Sequence, residues 1–297
     1  MTDNAYDEFA LFHENLSEWN LDVPIPTVRR FFVSVDGLRQ LSGLRWGEAA
    51  PELVLVHGGA QNAHTFDTVA LALQRPLLAL DLPGHGHSDA SGYPASAIVS
   101  HALDVGRALE QLIDHPLPLV GMSLGGLTSM LVAHDRPDLV RSLVLIDITP
   151  GVNADKARHI TDFVNGPASF DDFDALLART VEHNPTRSVS SLRRGILHNA
   201  VQRRDGTWVW RHQQHGSSRL SAPDEGDLWA KLGELRMPVT LLRAMAAGSV
   251  VDDQDEAEFL RRLPQARVVH VRDAGHSIQG DQPLVLTALL NRFCVDE

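Results

Sequence analysis

The 297-residue sequence predicts an α/β protein: a mostly parallel, doubly wound sheet carrying an inserted helical cap. Three observations predict it. Short apolar runs bounded by turns recur along the chain, the pattern of parallel strands buried on both faces. Segments of helical pattern lie between them. From about residue 150 to 235 the strand runs stop, helical segments replace them, and then the alternation resumes.

Taken in order, the first 23 residues read as an N-terminal helix. Phe9, Phe12, Leu16 and Trp19 form one stripe on it, suited to docking on the core. Residues 27–36 and 38–46 read as an antiparallel strand pair turning at Asp36-Gly37. Buried strands follow at Leu53–Val56, Pro76–Leu80, Leu117–Val120 and Leu143–Ile146, with helices near 96–113 and 124–136. In the middle stretch Thr207–Trp210 is a short hairpin element. Strands return at Val239–Leu242 and Arg267–Val271, with helices near 253–263 and 283–294. The expected division is a core of 1–149 and 236–297 and a cap of 150–235.

Composition narrows the function classes. The formal net charge is −12, which argues against nucleic acid or an anionic membrane as the main partner. No apolar run approaches the roughly 18 residues of a membrane span. The acidic N-terminus lacks the basic and apolar regions of a signal peptide. Cys294 is the single cysteine, so no internal disulfide is possible and a reducing, cytoplasmic setting is expected. Its place at the end of an amphipathic helix reads as packing, not nucleophilic chemistry. The expected partner is a small neutral or weakly polar molecule; oligomeric state is not legible.

Gly121-Met122-Ser123-Leu124-Gly125 stands between a strand and a helix. This is the strand–turn–helix setting of a nucleophile elbow, with Ser123 as the nucleophile. The glycines let chain segments approach without Cβ clashes, and the helix N-terminus faces the developing oxyanion. The loop His57-Gly58-Gly59 follows a strand and offers the Gly59 N–H; the Leu124 N–H is the second donor of an oxyanion hole. His57 itself reads as a structural turn residue. His85 and His87 have an H-x-H spacing, but no further ligand completes a metal site there, and the segment reads as a rigid turn. Neither a metal nor an organic cofactor is expected.

The base is expected late in the chain, and His276, in a Gly-flanked loop after the last strand, fills that place. For the acid the residues leave alternatives. Asp252 and Asp253 follow the strand at 239–243 but also suit a helix N-cap. Asp147 ends the strand Leu143–Ile146, on the sheet edge where active sites form. Asp147 is the favoured acid, with Ser249 as a possible hydrogen-bonding support.

With these residues placed, the chain resembles the α/β-hydrolase superfamily from about residue 27 to the end, through HGG, DLPGHGHSD, GMSLGG and DAGHS. Within it the chain looks most like a mycobacterial carboxylesterase group. The shared blocks are HGGAQNAHTFDT (57–68), VGMSLGGLT (120–128), DITP (147–150), SLRRGILHN (191–199) and WVWR (208–211). In that group the acid follows the sixth strand and a serine stands at the usual acid position, as Asp147 and Ser249 do here. The resemblance implies hydrolysis of short acyl esters through an acyl-enzyme. A thioesterase, lactonase or carbon–carbon bond hydrolase, or a non-catalytic ligand receptor, are the alternatives on the same fold. In the cap, Trp208, Trp210, Phe163, Phe170 and Phe173 read as core in preference to an acyl pocket. Arg193 and Arg194 read as a solvated face in preference to a carboxylate site.

Overall fold

A computed structural model describes residues 6–90, 97–152, 155–212 and 225–295. Residues 1–5 of the N-terminal segment and 213–224 of the cap lie outside the described residues. β1 (Val28–Ser34) and β2 (Gln40–Trp46) form the expected antiparallel pair. Asp36 shapes the turn by accepting the Leu38 and Arg39 N–H groups, and Gly37 takes a φ of +80° that favours glycine.

The chain continues through β3 (Leu53–Val56), β4 (Leu77–Leu80), β5 (Leu117–Met122) and β6 (Val140–Ile146). The insertion holds β7 (Ala200–Gln202) and β8 (Trp208–Trp210), and β9 (Val239–Ala244) and β10 (Arg267–Val271) complete the strands. The main sheet has eight strands in the order β1-β2-β4-β3-β5-β6-β9-β10. β2 is antiparallel to both neighbours and the other pairs run parallel.

Helices cover both faces. α1 (Phe12–Glu18), α2 (Asp67–Leu73) and α11 (Pro283–Leu290) pack on one side. α3 (Ala97–Leu112), α4 (Leu124–Asp135), α8 (Glu225–Glu234) and α9 (Asp253–Arg262) pack on the other. β5 shows why its sequence is apolar throughout. Leu117 and Leu119 point into one cluster, and Val120 and Met122 into the other.

Three helices of the insertion, α5 (Arg158–Val164), α6 (Phe173–His183) and α7 (Val189–Asn199), come with the antiparallel β7–β8 pair. Phe170, Leu176, Ile196, Ala200 and Trp210 form a separate small core there, with Phe163, Phe173 and Trp208 packed against it. These aromatics therefore pack as the core of the inserted stretch. α8 behaves differently: Leu228, Trp229 and Leu232 join the main core.

The N-terminal helix is shorter than the stripe suggested. Asn20 takes a left-handed φ of +49°, and Pro24 and Pro26 then hold the chain extended. Phe12 is buried and meets Trp46 at a ring-centroid distance of 5.0 Å, with Phe9 and Leu16 packed beside it. α1 also holds the cap. Arg194 is buried and reaches Asn15 and Glu18, while Arg193 pairs with Glu14. Arg194 is thus buried against the N-terminal helix and is not on a solvated face, whereas Arg193 stays exposed as expected and pairs with Glu14 at the surface.

Candidate active site

Ser123 lies between β5 and α4 with φ +52° and ψ −122°, a conformation few non-glycine residues adopt. Its neighbours make that turn possible. A Cβ on Gly121 would strike the Gly125 carbonyl and come within 2.6 Å of Gly126 Cα. A Cβ on Gly125 would fall on the His57 carbonyl and within 2.5 Å of the Val56 carbonyl. The turn is pinned by the Ser123 N–H to the Ile146 carbonyl (3.3 Å) and by the Gly126 N–H to the Ser123 carbonyl (2.8 Å).

Leu124 opens α4, where the first backbone N–H groups have no partner within the helix. Gly59 lies beside it: a Cβ there would be 3.8 Å from Leu124 Cδ2. The loop bearing Gly59 is held at several points. The Gly58 N–H donates to Gln61 Oε1 (3.2 Å), and the Ala60 N–H donates to His85 Nε2 (3.1 Å). His57 is fully buried; its Nδ1 donates to the Gly58 carbonyl (2.7 Å) and its Nε2 accepts the Leu82 N–H (3.0 Å). Burial, aided by His85, lowers its imidazole to about 3, so it serves as a neutral clamp between loops.

Asp147 follows β6 with a φ of +46° and is completely buried. Its Oδ1 accepts the Ala244 N–H (2.9 Å) and the Ser249 hydroxyl (2.6 Å). Its Oδ2 accepts the Val250 N–H (3.1 Å) and His276 Nδ1 (2.9 Å). A carboxylate only accepts, so the hydrogen is placed on His276 Nδ1 and the lone pair on Nε2. That Nε2 is buried and has no hydrogen-bond partner among the described residues. The His276 loop is fixed by the Gly275 N–H to Asp281 (2.8 Å) and the Ala246 N–H to the Ala274 carbonyl (2.9 Å).

The other two acids are occupied elsewhere. Asp252 caps α9, accepting the Gln254 and Asp255 N–H groups, and pairs with Lys156. Asp253 pairs with Arg243 at 2.7 Å. Burial pushes the Cys294 thiol up to about 12, which keeps it protonated.

Sequence reasoning passed over two contacts at this site. Gln279, on α10 (Ile278–Asp281), donates to Gln61 Oε1 (3.4 Å) and so joins the His276 segment to the Gly58–Gly59 loop. His159, on α5, brings its Nε2 to 3.5 Å from where a Gly248 Cβ would lie, beside Ser249. Burial and the nearby His276 hold its imidazole below the usual value. Gln61 lies within HGGAQNAH and was open to notice; His159 had no local signal.

Residues 51–283 match the α/β-hydrolase fold family, and the chain belongs to it. The chain is 40% identical over 293 residues to the esterase Rv0045c of Mycobacterium tuberculosis, covering 96% of this chain and 94% of the relative. A structure of that esterase, refined in work on its transition-metal inhibition, covers 97% of this chain and 98% of its own, with TM-score 0.84 and 38% identity. The sn-1-specific diacylglycerol lipase ABHD11 of Mus musculus is 28% identical over 253 residues, covering 78% of this chain and 77% of the relative. This chain is thus a hydrolase, homologous along nearly its whole length to an esterase.

Proposed function

We propose that the chain hydrolyses short-chain carboxylic esters through a Ser123–His276–Asp147 triad. The observation that supports this best is the 2.9 Å bond from His276 Nδ1 to a buried Asp147 that is itself fixed by three other donors. In this reading His276 Nε2 takes the Ser123 proton as Oγ attacks the ester carbonyl. The N–H groups of Gly59 and Leu124 hold the oxyanion. The imidazolium, stabilised by Asp147, returns the proton to the leaving alcohol. Water then cleaves the acyl-enzyme by the same route. No step requires a cofactor. Ser249 and the two backbone N–H groups keep Asp147 aimed at His276. The stretch 150–235 serves as a cap over this edge of the sheet, and specificity is set there.

The substrate is a small ester. Among the described residues no helix is long and apolar enough to cross a membrane. The transition-metal inhibition of the M. tuberculosis relative extends, in this reading, to this chain. Ser123→Ala is expected to abolish p-nitrophenyl butyrate turnover while leaving thermal unfolding unchanged. Full activity in that variant would exclude Ser123 as the nucleophile.

A further inference from the structure

Beside the Gly58–Gly59 loop lies a polar cavity of ≈ 90 Å³, walled in part by α1, α7 and α10. That space holds a few waters or one short anion. Gln61 lines it and accepts the Gly58 N–H. A Cβ on Gly58 would lie 3.5 Å from Gln61 Oε1 and 3.1 Å from Ser123 Cβ. One side chain, Gln61, therefore links the cavity to the surroundings of the nucleophile.

Arg187, just before α7, also lines the cavity. Its Nη2 donates to Ser191 Oγ (2.7 Å), while its Nε is buried with no hydrogen-bond partner among the described residues. Neighbouring Arg194 is answered by Glu14 and Glu18, but Arg187 has no ion pair among the described residues. Burial pulls its guanidinium below the usual value, and Asp281 offsets only part of this. A Cβ on Gly280 would come within 2.8 Å of Arg187 Cζ, so a glycine on α10 makes room for the cation.

The other charged groups that line the cavity are matched. Asp67 meets His64 at 2.9 Å; burial opposes the imidazolium, but Asp67 and Glu8 outweigh it and raise His64 to about 9. His198, kept neutral by burial and by the His64 charge, adds a donor. Its Nδ1 is 2.5 Å from the Tyr6 hydroxyl, and with the phenol donating, the hydrogen stands on Nε2. That Nε2 is buried with no hydrogen-bond partner among the described residues. Gln279 Oε1 is in the same condition and calls for a water or hydroxyl beside an anion.

We infer that this cavity is a binding site for a small carboxylate, held by the Arg187 guanidinium and the His198 Nε2–H. A guanidinium fork matches the two oxygens of a carboxylate, and burial strengthens the pair. The inference rests on the esterase reading for its effect on turnover, but not for the binding itself. Two sources carry this group: the acid that ester cleavage releases, and a free carboxylate on the ester substrate. Gln279 lines the cavity and donates to Gln61 Oε1 (3.4 Å), so occupancy is felt at the Gly58–Gly59 loop.

The test is calorimetric titration of Ser123→Ala protein with sodium butyrate, with equimolar sodium chloride as the blank. Butyrate is expected to bind, and adding Arg187→Gln is expected to weaken it at least about tenfold. Gly280→Ala, whose methyl group displaces the guanidinium, is expected to weaken it with thermal unfolding retained. It decides the matter where Arg187→Gln fails to fold. Kinetics in the Ser123 protein then assign the source. A released acid predicts that butyrate slows p-nitrophenyl butyrate turnover and that Arg187→Gln relieves the inhibition. A substrate carboxylate predicts that Arg187→Gln raises KM for the mono-p-nitrophenyl ester of glutaric acid and not for p-nitrophenyl butyrate. No butyrate binding, or equal affinity with and without Arg187, would overturn the proposal. Binding that depends on Arg187 in a wild-type protein without ester turnover would support the site and refute the esterase reading.

Discussion

Asp147 has all its acceptor capacity engaged, and that determines what His276 can do. The Ala244 and Val250 N–H groups and the Ser249 hydroxyl fix the carboxylate from three sides. The fourth bond orients the imidazole. Loss of one donor leaves the acid buried but less well aimed. Ser249→Ala is therefore expected to lower kcat about tenfold with KM nearly unchanged, from the usual strength of a hydrogen bond to a charged group. Ser249→Thr is expected to restore much of it. An unchanged kcat in Ser249→Ala, measured by steady-state ester hydrolysis, would show the hydroxyl to be dispensable. The partnership of Asp147 with His276 is foreshadowed in the sequence because Asp147 ends an apolar strand run at the edge where sites form. Its donors Ala244 and Val250 are not, because a backbone N–H leaves no mark on sequence.

At the scale of elements, one buried carboxylate ties three strands and a loop together. Asp81, just after β4, accepts from Arg30 on β1 (2.7 Å), Ser42 on β2 (2.6 Å) and the Ala63 N–H (2.7 Å). Burial works against its charge, but the Arg30 guanidinium and the hydrogen bonds outweigh it and hold the carboxyl at about 2. The folded-state pKa lies below its ordinary 3.8, so the network stabilises the fold above that pH. The contribution, about 2 kcal/mol by linkage, is lost as pH falls from 3.8 toward 2. Arg30→Met leaves the carboxylate buried without its cation. Urea denaturation at neutral pH is expected to show a loss of about 3–5 kcal/mol. A loss below about 1 kcal/mol would mean that the other donors suffice. The segment DLPGHGHSD announced a rigid turn, but not that Arg30 and Ser42 complete it.

For the whole molecule, legibility followed distance along the chain. The sheet and its helices could be read because each strand run and each helical period is local. The elbow at Ser123 could be read for the same reason, as strand, turn and helix are contiguous. The inserted stretch shows in the sequence as a change of rhythm, and its aromatics form a small core of their own. Its attachment was not visible. Arg194 was read as solvated because Glu18, its partner, lies 176 residues away. The pairing of His64 with His198 joins the core to the cap in the same hidden way.

In the proposed triad the acid stands after β6 and not after β9, so the arrangement of the whole fold sets where the site forms. Ester turnover by Asp147→Asn, set beside Asp252→Asn and Asp253→Asn, tests it most directly. Asp147→Asn is expected to lower kcat by about 10⁴-fold, with the fold intact by circular dichroism. The other two are expected to stay within about tenfold of wild type, because they cap α9 and pair with Lys156 and Arg243. Near-normal turnover in Asp147→Asn, with collapse in Asp252→Asn or Asp253→Asn, would contradict the proposed triad.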